Sequence, residues 1–302
     1  MEHDLVSVVI TTRQEEKNLP FCLASLRIQT HPRIEVIVVD NGSTDETCEI
    51  ALAHTPHVYQ MGPERSAQRN FGMIQKSTGK YVLYLDADMV IAPTLIADSV
   101  AFMEQGYIAL YLSEIVLGKR YFSSVRRFER RFYDGTAVDC ARFFLREAFI
   151  QTGGFDETLS GPEDWDLDKK IRQLGKVALL QASNSGPADW QETQVAKELE
   201  SFVRERGVKP ESFRSVVFHN EAEFDLGKYL GKKSYYAKSF NAYIAKWGKN
   251  DPDLRRQFGF WYRFFGVFLE NGKWRRLLSR PDLAFGLYFL RFLVGLRFLF
   301  RD

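Results

Sequence analysis

Two carboxylates separated by a single residue close an apolar run in "KYVLYLDADMV", Lys80 to Val90. Ionised at that spacing, Asp86 and Asp88 repel each other and lose hydration, so they persist where something positive lies beside them. A divalent cation meets that need, and carboxylate oxygens suit Mg2+ or Mn2+. The pair also suits an ordinary strand end followed by a turn, where aspartate is common. A second acidic pair, Glu163 and Asp164, stands where the glycine-rich "TGGFDETLSGPEDWDLDKK" turns into a helical pattern. The helix dipole steadies a carboxylate in a first turn and lowers its pKa. Such a group can still take a proton from a hydroxyl, or it can simply open the helix. His219, in "VVFHNEAE", follows a short apolar run, and a neutral imidazole is an acceptable ligand for Mn2+ as well as a common structural group.

The elements that must position these groups alternate. "VSVVIT" from Val6 to Thr11, "IEVIVVD" from Ile34 to Asp40 and "KYVLYLD" from Lys80 to Asp86 read as strands, with helical patterns over Glu15 to Gln29 and Thr44 to His54 between them. That order predicts an α/β fold with a mainly parallel central sheet and flanking helices. Asp40 and Asp86 then fall at carboxyl ends of strands, the edge where open α/β sheets bind ligands. A helix from Pro93 to Gln105, a strand from Tyr107 to Leu117 and a basic aromatic helix around Tyr121 to Tyr133 follow. Residues 182–215 are polar and read as a surface insertion with a helix from Gln191 to Glu205. The composition shifts near residue 222, which predicts a catalytic unit over 1–222 and a helical region over 223–302.

Three cysteines, odd in number and widely spaced, suggest reduced thiols in a cytoplasmic protein. "MEHDLVSVVITT" carries no basic region and no small-residue cleavage site, so no signal peptide is expected. The net charge of +2 conceals an asymmetry: Lys228 to Asp302 holds 16 lysines and arginines against 5 acids, leaving 25 against 34 elsewhere.

"ITTRQEEKNL", "VVDNGSTDET", "ERSAQRNFG", "YLDADMVI", "GGFDE" and "GPEDWDL" occur in that order within about the first 170 residues. Together they resemble a family-2 glycosyltransferase of the GT-A fold, a Rossmann-like architecture that uses a nucleotide-diphosphate sugar and inverts the anomeric centre. The family's usual proline and asparagine in the first loop are Thr11 and Gln14 here, while Glu15 keeps its place. The resemblance implies that Asp86-Ala87-Asp88 is the family's D-x-D motif, with Asp88 on Mn2+ or Mg2+ and Asp86 on the ribose or a metal-bound water. It implies a donor site of Asp40 at the base or ribose, Thr11 and Glu15 nearby, and Arg69 and Asn70 reaching in from a helix. Gly154 and its neighbours would wall the donor sugar, since glycine lets a backbone approach closely. Asp164 is then the base, with Glu163 its alternate, and His219 a further metal ligand. Trp165 is placed to stack on an acceptor sugar or to join the core. Two other classes compete: a sugar-phosphate nucleotidyltransferase, whose glycine-rich opening loop "TTRQEEKNL" lacks, and a non-catalytic sugar-nucleotide-binding scaffold.

The tail joins "FGFWYRFFGVFLENGKWRRLL" to "PDLAFGLYFLRFLVGLRFLFRD". Arginines interrupt the second run before a full membrane span is reached. At 100° per residue Arg280, Arg291, Arg297 and Arg301 share an arc of about 120°, which suits a helix lying in an anionic membrane interface. The apolar face could instead pack on the catalytic unit or form a homodimer. Nucleic acid is not expected, because large aromatics crowd the stretch without a binding motif. Lys232 and Lys233, in "GKKSYYAKS", could bring a lipid-phosphate acceptor or the diphosphate to the site. The expected reaction extends a lipid-linked or cell-surface glycan from a donor, a UDP-sugar by preference, by a peripheral enzyme on the cytoplasmic membrane face.

Overall fold

The structure, a computed structural model, describes residues 3–180, 190 and 192–299. Ten strands are present among them: β1 (Val6–Thr12), β2 (Ile34–Asp40), β3 (Val58–Gln60), β4 (Tyr81–Asp86), β5 (Met89–Ile91), β6 (Ala109–Leu112), β7 (Glu114–Leu117), β8 (Phe143–Leu145), β9 (Val177–Leu180) and β10 (Val217–Asn220). Seven form a sheet in the order β3-β2-β1-β4-β8-β6-β9, and β5-β10-β7 form a smaller one. Within the large sheet β8 runs antiparallel to β4 and β6, and the other pairings are parallel.

All seven residues of β1 are buried, as a central parallel strand covered on both faces requires. Successive side chains serve opposite layers: Val8 and Ile10 join one hydrophobic cluster with Leu83 and Leu85, and Val9 joins another with Val82 and Tyr84. The register pairs Thr12 with Asp40 and Thr11 with Asp86, so the carboxyl ends of three strands lie within one residue of a common level.

Three expectations need correction. The run Tyr107 to Leu117 is two strands rather than one: β6 pairs with β8 and β9, and beyond Ser113 the chain crosses to the small sheet as β7. The described part of 182–215 is no surface insertion, and residues 182–189 and 191 lie outside the described residues. Helix Gln194–Glu205, N-capped by Thr193, buries Ala196, Leu199, Phe202 and Val203, and Phe202 stacks on Phe21 with centroids 4.0 Å apart. The arginine stripe also fails. Arg291 is 8% exposed, donates to Glu129 Oε1 at 3.2 Å and Tyr133 Oη at 2.8 Å, and faces inward. Arg280 pairs with Asp282, and Arg301 lies outside the described residues.

The helices beyond residue 222 share a core with the segment before it. Val267, Phe268, Leu283, Leu287 and Leu290 pack with Val125, Phe128 and Phe132, so the change in composition is not a break in packing.

Candidate active site

A cleft of about 620 Å³ opens at the carboxyl edge of β1 and β4. Thr11, Glu15, Asp86, Asp88 and His219 line it on the sheet side, and Arg65, Glu163, Lys232, Tyr235 and Tyr236 line it opposite. Burial, together with the charges of Asp88 and Asp86, raises the pKa of Glu15 against the hydrogen bond from Asn18.

His219 meets Asp88 because β10 pairs with β5, placing His219 beside Met89, the residue after Asp88. Its Nε2 lies 3.2 Å from Asp88 Oδ2, and its Nδ1 lies 2.9 Å from Glu114 Oε1 on the other side of β10. Burial opposes a charge on this ring, yet Asp88 and Glu114 hold its pKa well above the ordinary value. Asp88 Oδ1 is buried and has no hydrogen-bond partner. One carboxylate with an orphaned oxygen, and one imidazole whose far nitrogen is held by a carboxylate, fit a hard or borderline divalent ion. Among the described residues no three His, Cys, Asp or Glu side chains form a ready cage. An ion here would take its remaining ligands from phosphate oxygens and water, as Mg2+ sites commonly do.

The acidic pairs are linked through Arg69, on helix Arg65–Asn70. Its guanidinium donates to Asp86 Oδ1 at 2.8 Å and to Asp164 Oδ1 at 3.1 Å, and lies 4.3 Å from the Tyr84 ring centroid. Burial works against the charge on Asp86, but Arg69, Arg65 and Arg142 hold its pKa well below the usual carboxylate range. Glu163 and Asp164 open helix Glu163–Leu174 and diverge. Glu163 is 2% exposed, accepts from Arg65 at 2.7 Å and from the Gly161 amide, and has a pKa raised by burial and by Asp164. The side chain of Asp164 stays 25% exposed.

Several expected donor and acceptor residues lie elsewhere. Asp40 is fully buried and accepts from Thr12, Ser43 and Gln60, so its oxygens shape the turn after β2. Arg69 is 1% exposed and lies beneath the carboxylates rather than in the cleft wall. Asn70 clamps the loop after helix Arg146–Gln151, donating to Phe155 O at 2.9 Å and accepting from Phe155 N at 2.8 Å. Gly154 sits against it at φ +73°, where a Cβ would collide with Asn70 Oδ1. Trp165 is in the core: its indole stacks near Phe240, meets Phe258 edge-on and donates to Val138 O. Lys233, unlike Lys232, lies outside the cleft wall, 5.4 Å from the Tyr229 ring centroid.

Sequence reasoning missed Glu114, Arg65 and the Tyr235-Tyr236 pair. Glu114 left one trace, a lone acid inside the apolar "ALYLSEIVL". Arg65 is the second residue of the quoted "ERSAQRNFG" and nothing in the stretch singles it out.

Residues 7–154 match the family described as Glycosyl transferase family 2. An uncharacterized glycosyltransferase of Escherichia coli K12, YibD, is 38% identical over 96 residues, 30% of this chain and 28% of its own length. The pre-mycofactocin glycosyltransferase of Mycobacterium tuberculosis H37Rv is 30% identical over 203 residues, 57% of this chain and 40% of its own. The chain thus spans less than half the length of either relative. Among solved structures, the mannosyltransferase PcManGT from Pyrobaculum calidifontis, in complex with GDP-Man and Mn2+, superposes with a TM-score of 0.58 at 17% identity, covering 100% of this chain and 89% of that one. At that identity the likeness concerns the fold, which is that of GT-A glycosyltransferases.

Proposed function

We propose that this chain, whose residues 7–154 match glycosyl transferase family 2, moves a sugar from a nucleotide-diphosphate donor to an acceptor hydroxyl with inversion. The observation that carries this reading is the orphaned Oδ1 of Asp88 beside His219, in a cleft whose opposite wall offers Arg65 and Lys232. Asp88 and His219 would hold Mn2+ or Mg2+, which when bound supplies positive charge to the departing diphosphate. Arg65 and Lys232 add donors from the other side, where negative charge grows as the glycosidic bond breaks. Thr11 and Glu15, which line the cleft, would meet the nucleoside. Arg69 keeps Asp86 ionised and holds both Asp86 and Asp164 in place, and the partly exposed Asp164 accepts the proton of the attacking hydroxyl. The acceptor is a hydroxyl of a lipid-linked or surface glycan, and the donor a UDP-sugar; PcManGT, with its GDP-Man, makes the GDP-sugar the arm to compare.

A thermal-shift panel of UDP-, GDP- and CMP-sugars with Mn2+, with Mg2+ and with neither tests this. Saturation at a hundredfold excess over Kd stabilises a folded protein by about 2.7 kcal/mol. One donor class raises Tm only when Mn2+ or Mg2+ is present, and Asp88→Ala abolishes the rise. No shift with any of the three, with either ion, overturns the reading.

A further inference from the structure

Helix Pro281–Leu299 has two unlike faces. Leu283, Leu287, Leu290 and Arg291 are buried, and Gly286 closes directly on Tyr121 and Val125 of helix Tyr121–Arg130. On the opposite side Phe285, Phe289 and Phe292 share an arc of about 60°, and they are 74%, 41% and 56% exposed. A second aromatic group neighbours this helix, since Tyr288 Oη donates to Phe264 O at 2.9 Å. There Phe260, Trp261 and Phe265 cluster with centroids 5.5 to 6.4 Å apart, all exposed, Trp261 by 76%. Monomers seldom leave that much aromatic surface open without a partner.

The charge around it selects the partner. Arg256, Arg275, Arg276 and Arg297 are exposed, while the two carboxylates between residues 254 and 299 are engaged, Glu270 by Tyr262 and Asp282 by Arg280. Aromatic side chains ringed by arginine match the boundary between acyl chains and anionic headgroups. Among the described residues no helix is long and apolar enough to cross a membrane, so the surface suits contact with a bilayer rather than passage through it.

We infer that this surface, the Phe285-Phe289-Phe292 face with the Phe260-Trp261-Phe265 group, seats the chain on an anionic phospholipid bilayer. The cationic contribution comes from the exposed arginines, not from the inward-facing Arg291. Helix Leu226–Tyr236 packs against helix Pro281–Leu299 and carries Lys232, Tyr235 and Tyr236 into the cleft wall. Resting on the function proposed above, that connection lets a lipid-linked acceptor approach the cleft from the bilayer side.

The test uses the full chain with vesicles of phosphatidylcholine alone or mixed with phosphatidylglycerol, without donor. The chain co-sediments with the anionic vesicles, and brominated lipid quenches tryptophan emission, a signal that Trp261→Phe diminishes. The triple variant Phe285→Ser, Phe289→Ser, Phe292→Ser lowers partitioning at least about tenfold, with an unchanged circular dichroism spectrum and a melting temperature lowered only by the lost stacking of Phe289 on Phe122. Failure of the wild type to bind anionic vesicles overturns the inference, as does light scattering showing a dimer that the triple variant dissociates in the absence of vesicle binding. Donor binding measured by thermal shift without vesicles separates failure of this surface from failure of the enzymatic reading.

Discussion

Glu163 and Asp164 are adjacent in the chain and unlike in environment. Glu163 touches the cleft but is nearly buried and held by Arg65 and the Gly161 amide, whereas Asp164, outside the cleft lining, shows a quarter of its side chain to solvent with Arg69 on one oxygen. A base must reach the acceptor hydroxyl, which favours the open carboxylate. Asp164→Asn is therefore expected to lower turnover by about 10² to 10⁴-fold while donor-induced stabilisation persists. Glu163→Gln should alter donor affinity through Arg65, and equal loss of turnover without loss of binding in Glu163→Gln alone would move the base to that residue. Lys233 offers a pH test outside the cleft. Burial, and next Arg126, lower its pKa from 10.5 to about 7. The folded state thus resists its charge, so the cost is full below about pH 7 and fades as pH rises toward 10.5. Lys233→Met should raise Tm at neutral and acid pH, with the gap over wild type closing in alkali; thermal denaturation across that range reads it.

At the scale of elements, the pairing of two carboxyl edges makes the site. β4 delivers Asp86 and, one turn on, Asp88; β10 delivers His219; β7, across β10, delivers Glu114 to its far nitrogen. A carboxylate behind a ligating imidazole fixes its tautomer and aim, and losing it costs about 10 to 100-fold in metal affinity. Glu114→Gln should show that loss in Mn2+ titration followed by electron paramagnetic resonance, with the sheet intact by circular dichroism. The sequence made β1, β2 and β4 legible because buried parallel strands are near-continuous apolar runs, and Asp86 and Asp88 stood out against them. His219 was legible by its place after such a run. Glu114 was not, because its partner lies 105 residues away and the single strand read across Ser113 concealed the switch between sheets. Asp40 misled for a related reason. Its hydrogen bonds come from Thr12, Ser43 and Gln60, three segments that only the folded sheet brings together.

Over the whole molecule, a chain of partly to fully buried ion pairs runs from the cleft to the last helix. Asp88 meets His219; Glu221 lies 4.0 Å from His219 and pairs with Arg126; Arg126 pairs with Glu129 at 2.6 Å, and Glu129 with Arg291 at 3.2 Å. The carboxyl-terminal region is thus seated by charge as well as by Leu283, Leu287 and Leu290. Deleting it would bare that core and take Arg291 from Glu129, leaving Arg126 as its ion-pair partner, so a truncation cannot isolate surface binding from folding. Single substitutions on the two faces of one helix can. Arg291→Ala removes one partner of a buried pair and should cost on the order of 3 kcal/mol, read from the midpoint of denaturant unfolding. Phe285→Ser, on the exposed face, should fall within about 0.5 kcal/mol of wild type. Equal costs for both would mean that the outer face is covered in solution and that the helix packs on both sides.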